Sequence, residues 1–157
     1  MKICEILKPE MILPEFKGRD KDAIINELID LFKEDNRIKD IEKVRTAVLE
    51  REKIMSTGVG NGFAIPHGKT PGVKDIVAAF GKTSDPIDFQ ALDGNPVNLV
   101  FLLVGKDNLV GPHIKLLSRI SRMMNKEEFR SKLAAAESSK EIFSIFEEEE
   151  KKYLDLQ

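Results

Sequence analysis

"PIDFQALDGNPVNLVFLLVG", Pro86 to Gly105, is the stretch that decides the architecture. From Val97 to Val104 every residue except Asn98 is apolar, so the segment lacks the alternation of a strand with one solvated face. Such a strand has to be covered on both sides. Asp93-Gly94-Asn95-Pro96 is a strong turn cluster, and "PIDFQAL" before it reads as a second strand-like run.

Helical patterns on either side supply the cover. "GRDKDAIINELIDLFKED" spaces Ile24, Leu28, Leu31 and Phe32 as one apolar stripe, with Asp20 or Asp22 placed to cap it. "DIEKVRTAVLEREKI" does the same with Ile41, Val44, Val48 and Leu49 behind a capping Asp40, and is expected to end near Arg51. "DIVAAFGKT" has the length and apolar density of a buried strand. Three further helical segments follow Gly105, the first opened by Gly111-Pro112. "KICEIL" alternates and reads as strand-like, with Cys4 as a small buried side chain. The acidic run Glu147 to Glu150 reads as a solvated helix end. The expected fold is α/β, a mixed, mostly buried β-sheet flanked by helices, in a single domain over residues 1–157.

Composition narrows the function. A net charge of -2, from 25 basic and 27 acidic residues, leaves no basic excess to hold a polyanion, which argues against nucleic acid. No apolar run is long enough to cross a bilayer, and the N-terminal stretch has no secretory pattern, which argues against membrane insertion. One cysteine cannot form an internal disulfide and fits the reducing cytoplasm.

The chemistry concentrates in "STGVGNGFAIPHGKT", Ser56 to Thr70. A P-loop would need glycine where Phe63 stands, and the same phenylalanine breaks the dinucleotide-binding pattern. His67, His113 and Cys4 lack metal-ligand spacing, so no metal site is expected. What remains is His67, one of two histidines, aimed by a proline that fixes one dihedral and is expected to end strand pairing. Gly68 is expected to leave room for another molecule beside the ring, and Gly58, Gly60 and Gly62 to let the loop fold close to it. A neutral imidazole can attack phosphorus with one nitrogen while the other donates a hydrogen bond. Two readings stay open from the tripeptide alone: a phosphoryl-accepting nucleophile, or a turn histidine satisfied by backbone.

His113 follows Gly111-Pro112 at a helix start, where the dipole favours an anion and a neutral ring. It could donate to a phosphoryl oxygen or be a helix-start residue without a chemical task. Arg51 could bind two phosphoryl oxygens or pair with Glu50.

"REKIMSTGVGNGFAIPHGK", then "PIDFQALDGNPVNLVFLLV" and "PHIKLLSRIS", resembles the EIIA component of the bacterial phosphoenolpyruvate-dependent sugar phosphotransferase system, fructose and mannitol class. The resemblance covers nearly the whole chain. It implies the EIIA fold of that class, with His67 as the phosphorylated residue, His113 as the second active-site histidine and Arg51 as their companion. Gly60-Asn61-Gly62 is similar to the fructose and nitrogen-related branches, since the mannitol branch usually has an acidic residue at the position of Asn61. The resemblance further implies a cytoplasmic phosphocarrier without metal or cofactor, charged by an HPr-like carrier and discharged to an EIIB component. A regulatory protein whose phosphorylation switches a target, and a nucleotide-binding domain that happens to carry Pro-His-Gly, are the competing expectations. Loop N–H groups of Val59, Gly60 and Asn61 are expected to complete a phosphoryl pocket with Arg51 and His113, and Phe63, Ile54 and Met55 are candidates for a docking rim.

Overall fold

The computed structural model describes residues 1–108 and 110–154, and at Val59 the backbone alone. The chain runs α1 (Ile3–Ile6), a 3-10 turn (Pro9–Met11), β1 (Ile12–Leu13), α2 (Lys21–Asp30), α3 (Ile41–Ile54), β2 (Gly58–Gly60), β3 (Phe63–Ala64), β4 (His67–Lys69), β5 (Val77–Ile87), β6 (Val97–Gly105), α4 (Val110–Met124), α5 (Glu127–Ala135) and α6 (Ser139–Leu154).

The six strands form one mixed sheet in the order β1-β5-β6-β3-β2, with β4 also on β6. The expected central strand is there. β6 pairs antiparallel with β5, from Val77 opposite Val104 to Lys82 opposite Leu99. Its other edge takes two short parallel partners, β3 and then β4. Residues 99–104 of β6 and 77–83 of β5 are buried, so both faces are covered as the apolar run requires. The "PIDFQAL" run is strand only as far as Ile87, beyond which the chain turns through Asp88 and Gln90 into the Asp93–Pro96 turn.

One face is closed by an aromatic cluster. Phe80 and Phe101 stand opposite each other, and Phe146 of α6 meets them at ring-centroid distances of 5.1 and 5.8 Å. Phe129 of α5 lies 5.3 Å away on its other side, edge-on. Such pairs add to the stabilisation from burying the rings. Asp20 caps α2 by accepting from the Ala23 amide, and Asp40 caps α3 by accepting from Glu42 and Lys43.

Two expectations give way near the chain ends. Residues 3–6 are a helical turn, not a strand, because the Glu150 carboxylate accepts the free amides of Ile3 (2.5 Å) and Cys4 (3.1 Å). The acidic run is correspondingly split: Glu149 and Glu150 are buried and paired with Lys126 and Arg119, while Glu147 and Glu148 remain exposed. The last turns of α6 dock against α1 and α4, and that packing demands the carboxylates. Cys4 is half-buried, and burial with the Glu150 charge pushes its thiol up to about 12.

Phe146→Ala should remove the ring that joins α6 to both central strands. The expected loss is about 3–5 kcal/mol, read as a lowered urea midpoint, because the buried ring's contacts with Phe80, Phe101 and Phe129 are replaced by a cavity.

Candidate functional site

The site forms where β4 restarts pairing beyond Pro66. The Pro66 carbonyl accepts from Leu103, and His67, Gly68 and Lys69 then pair with Leu103, Val104 and Gly105. The proline therefore interrupts the parallel edge without ending it, and His67 opens a new strand instead of capping an old one. Alternation puts His67 and Lys69 on one face and Gly68 on the other.

Gly68 serves the fold. A β-carbon there would lie 3.3 Å from the α3 backbone at Ala47 and Val48, so the space is filled by helix and not left for a ligand. Close packing of α3 on β4 is what brings Arg51, one turn farther along the helix, to His67. Its Nη1 donates to the Met55 carbonyl at 2.9 Å, and among the described residues it has no ion pair with Glu50 or any other carboxylate.

His67 is half-buried, and its Nδ1 lies 2.8 Å from the Ile65 carbonyl oxygen. A carbonyl only accepts, so Nδ1 carries the proton and Nε2 keeps the lone pair. On the same side, the first turn of α4 delivers His113, with the ring centroids 5.9 Å apart. His113 is only 2 % exposed, yet neither of its nitrogens has a hydrogen-bond partner among the described residues. A buried polar group left unpaired costs about 1–3 kcal/mol. Glycine at 105 gives this ring its seat, since a β-carbon there would stand 2.7 Å from His113 Nδ1.

Both rings are held neutral. Burial lowers the His67 pKa below the ordinary histidine value, and the charges of Arg51 and Lys69 lower it further. The Ile65 carbonyl and the Glu52 charge oppose them. For His113, burial first, then the neighbouring His67 and Lys69, brings the pKa down to about 4. Lys69 thus acts on both rings. The sequence carried a sign of this, because residues two apart on a strand share a face.

The loop glycines are not part of this cluster. The Gly62 carbonyl accepts from Asn98 and Leu99, whereas His67 pairs with Leu103, four positions farther along β6 and roughly 13 Å away in an extended strand. Gly60 and Asn61 precede Gly62 with positive φ values of 142° and 58°, and the Asp93 carboxylate is the neighbour of Gly60. The phosphoryl contacts expected from Val59, Gly60 and Asn61 are therefore not brought beside His67 by this register; the glycines serve the β2–β3 hairpin, and the Val59 side chain lies outside the described residues. Of the rim candidates, Phe63 is core at 1 % exposure, while Ile54 and Met55 are exposed at 80 % and 56 %.

Among the described residues no group of three metal-binding side chains is gathered, and no helix is long and apolar enough to cross a membrane. The sequence matches, over residues 5–149, the family described as "Phosphoenolpyruvate-dependent sugar phosphotransferase system, EIIA 2". It is 35% identical over 151 residues to the fructose-specific EIIABC component of Bacillus subtilis, covering 96% of this chain and 24% of that protein. The chain thus spans about a quarter of that relative. It is also 37% identical over 149 residues to a nitrogen regulatory protein of Bradyrhizobium diazoefficiens, covering 92% of this chain and 94% of that one. The crystal structure of nitrogen regulatory protein IIA-Ntr from Neisseria meningitidis superposes with a TM-score of 0.85 at 33% identity, covering 92% of this chain and 98% of that one.

The depressed pKa of His113 makes stability pH-dependent. An unfolded histidine takes up a proton near 6.5, the folded one near 4, so between those values the unfolded state binds more protons. Stability from this group is complete above 6.5 and is lost as pH falls toward 4. Urea midpoints measured at about pH 7 and about pH 5 should fall less in His113→Leu than in wild type. Equal decreases in the two proteins would show that His113 is not held neutral.

Proposed function

The chain belongs to the EIIA type 2 family of the phosphoenolpyruvate-dependent sugar phosphotransferase system. From that premise we propose that it is a phosphocarrier whose His67 Nε2 takes a phosphoryl group from the phosphohistidine of an HPr-like carrier and passes it to an EIIB cysteine. One observation carries the reading: a histidine with Nδ1–H bonded to a carbonyl and Nε2 free stands beside a buried histidine with unpaired nitrogens.

The Nε2 lone pair attacks phosphorus while the donor's N–P bond breaks, and the bonding pair returns to the donor ring. No proton has to leave Nδ1, and the Ile65 carbonyl supports the positive charge that develops on the phosphorylated ring. In the second transfer a cysteine thiolate attacks the same phosphorus, and the Nε2–P bonding pair returns to His67. Exchange between two nitrogen sites of similar energy needs positioning and charge stabilisation more than a strong base. His113 supplies a neutral N–H donor to a phosphoryl oxygen, and Arg51 and Lys69 supply positive charge. A carrier also has to be released, which suits a small apolar rim such as Ile54 and Met55, with Val110 and Ile114 exposed near His113. The proposed site of this work is the cytoplasm.

The likeness to the nitrogen regulatory proteins supports a second reading of the same chemistry. Phosphorylation of His67 would then add nearly two negative charges to a contact surface and switch binding to a regulatory target.

Incubation with phosphoenolpyruvate, enzyme I and HPr should place one acid-labile phosphoryl group on His67, and His67→Ala should abolish it. Full phosphorylation of that variant would overturn the assignment. His113→Ala and Arg51→Ala should slow transfer by about 10²-fold, with Arg51→Lys a partial rescue because a point charge cannot make the paired contact. The midpoint of the fall in rate on acidification should lie below the ordinary histidine value, because burial and the nearby cations lower the His67 pKa and only the neutral ring attacks. Rapid loss of the group to an EIIB cysteine supports transport. State-dependent capture of a target with no EIIB acceptor supports regulation.

A further inference from the structure

The geometry points to Glu52 as a positioning residue for His67, acting through Thr57 and the Ile65 carbonyl. Its consequence for transfer rests on the phosphocarrier reading. Arg51 and Glu52 are neighbours in the last turn of α3 but go opposite ways, Arg51 partly exposed and Glu52 inward at 4 % exposure. The Glu52 carboxylate accepts from the Thr57 amide at 2.8 Å, from the Thr57 hydroxyl and from Lys21 Nζ at 3.1 Å. The Thr57 carbonyl accepts from Ile65 N at 3.2 Å, and the Ile65 carbonyl accepts from His67 Nδ1. Three hydrogen bonds, linked in series by the backbones of Thr57 and Ile65, thus connect a buried carboxylate to the ring nitrogen that must stay protonated.

A buried carboxylate is costly unless it is paired and fully hydrogen-bonded. This one is both, and what it secures is the short link between α3 and β2, Met55 to Thr57, which has no strand ladder of its own. Thr57 in turn fixes Ile65, the residue just before the proline. Two further bonds, Ser56 Oγ to the Phe89 carbonyl at 2.9 Å and Gly58 N to Ser56 Oγ at 3.1 Å, tie the same link to the chain beyond β5. Lys21 balances the carboxylate and lies 5.0 Å from the Phe89 ring centroid. If the link shifts, the Ile65 carbonyl shifts with it, and His67 loses the partner that selects its tautomer. The sequence hides this role because Glu52 sits in a run of charged residues, Arg51-Glu52-Lys53, that reads as a solvated helix end.

The test uses the full chain as wild type, Glu52→Ala, Thr57→Val and the conservative Thr57→Ser. Imidazole nitrogen shifts by NMR report the tautomer, and phosphorylation by phospho-HPr reports the rate. Wild type and Thr57→Ser should show His67 as the Nδ1–H tautomer alone. Glu52→Ala and Thr57→Val should show a mixture and slow transfer by about 10- to 100-fold, the scale of a small misplacement, while the His113 shifts stay as in wild type. A pure Nδ1–H tautomer and wild-type rate in the folded variants would overturn the proposal. Should Glu52→Ala fail to fold, Thr57→Val decides by the same two readouts. A wild-type chain that takes no phosphoryl group would end the phosphocarrier reading, and the tautomer of His67 in the variants would still settle the role of Glu52.

Discussion

Proline at 66 has no amide hydrogen to give, and the parallel ladder on β6 has to break there and begin again. The break sets the geometry of the site. It leaves the Ile65 carbonyl free to accept from the imidazole two residues later, and it lets the Pro66 carbonyl receive the Leu103 amide so that pairing resumes at His67. A continuous strand would have given the same histidine a position in the sheet but no fixed tautomer. β6 can support this because it is locked on its other edge to β5 and covered on both faces, so the irregular edge strand costs the core little.

The electrostatics follow from where that edge lies. The chain is slightly acidic overall, yet the groups that act on the two histidines include Arg51 and Lys69, with Glu52 buried and already paired. Cations near an imidazole and burial of the ring both penalise its charged form. The result is a pair of neutral rings in a positive field, the combination that the proposed phosphocarrier chemistry requires: cations to hold a phosphoryl dianion and a lone pair to attack it. For that proposed step either condition alone would fail, since a protonated imidazole has no lone pair to attack with and a neutral pair without cations has no charge to hold a dianion.

Legibility in the sequence divides by range. The double-sided burial of Val97 to Val104 and the caps at Asp20 and Asp40 rest on local chemistry and could be read directly, whereas Pro66 interrupts the edge without ending it as expected. His113 and Arg51 were drawn to the same site by resemblance, and the packing of α3 on Gly68 and of α4 over Gly105 gives the physical reason. What could not be read depended on partners far away in the chain. The helical turn at Ile3 exists because Glu150 caps it, and the burial of Glu149 and Glu150 exists because α6 ends against α1 and α4. The glycine loop misled for a related reason. Gly58, Gly60 and Gly62 are expected from the sequence to let the loop fold close to His67, but antiparallel pairing of β2 with β3 carries the turn to the end of β3 away from it.

Placing His67, the proposed nucleophile, on a short edge strand also governs how a partner could approach. An open strand edge invites another strand to add to it, and a carrier that paired by backbone would be slow to leave. β4 is poorly suited to such addition: it is three residues long, lies between Pro66 and Pro71, packs against α3 on one face and carries the exposed Lys69. In the proposed phosphocarrier a partner would be left to engage side chains around His67, and Ile54, Met55 and Ile114 are exposed apolar groups next in sequence or structure to Arg51 and His113. Contact of that kind can be aligned by electrostatics and held by little apolar area, so that in the proposed transfer the change of charge pattern as the phosphoryl group moves would leave the complex little to hold it.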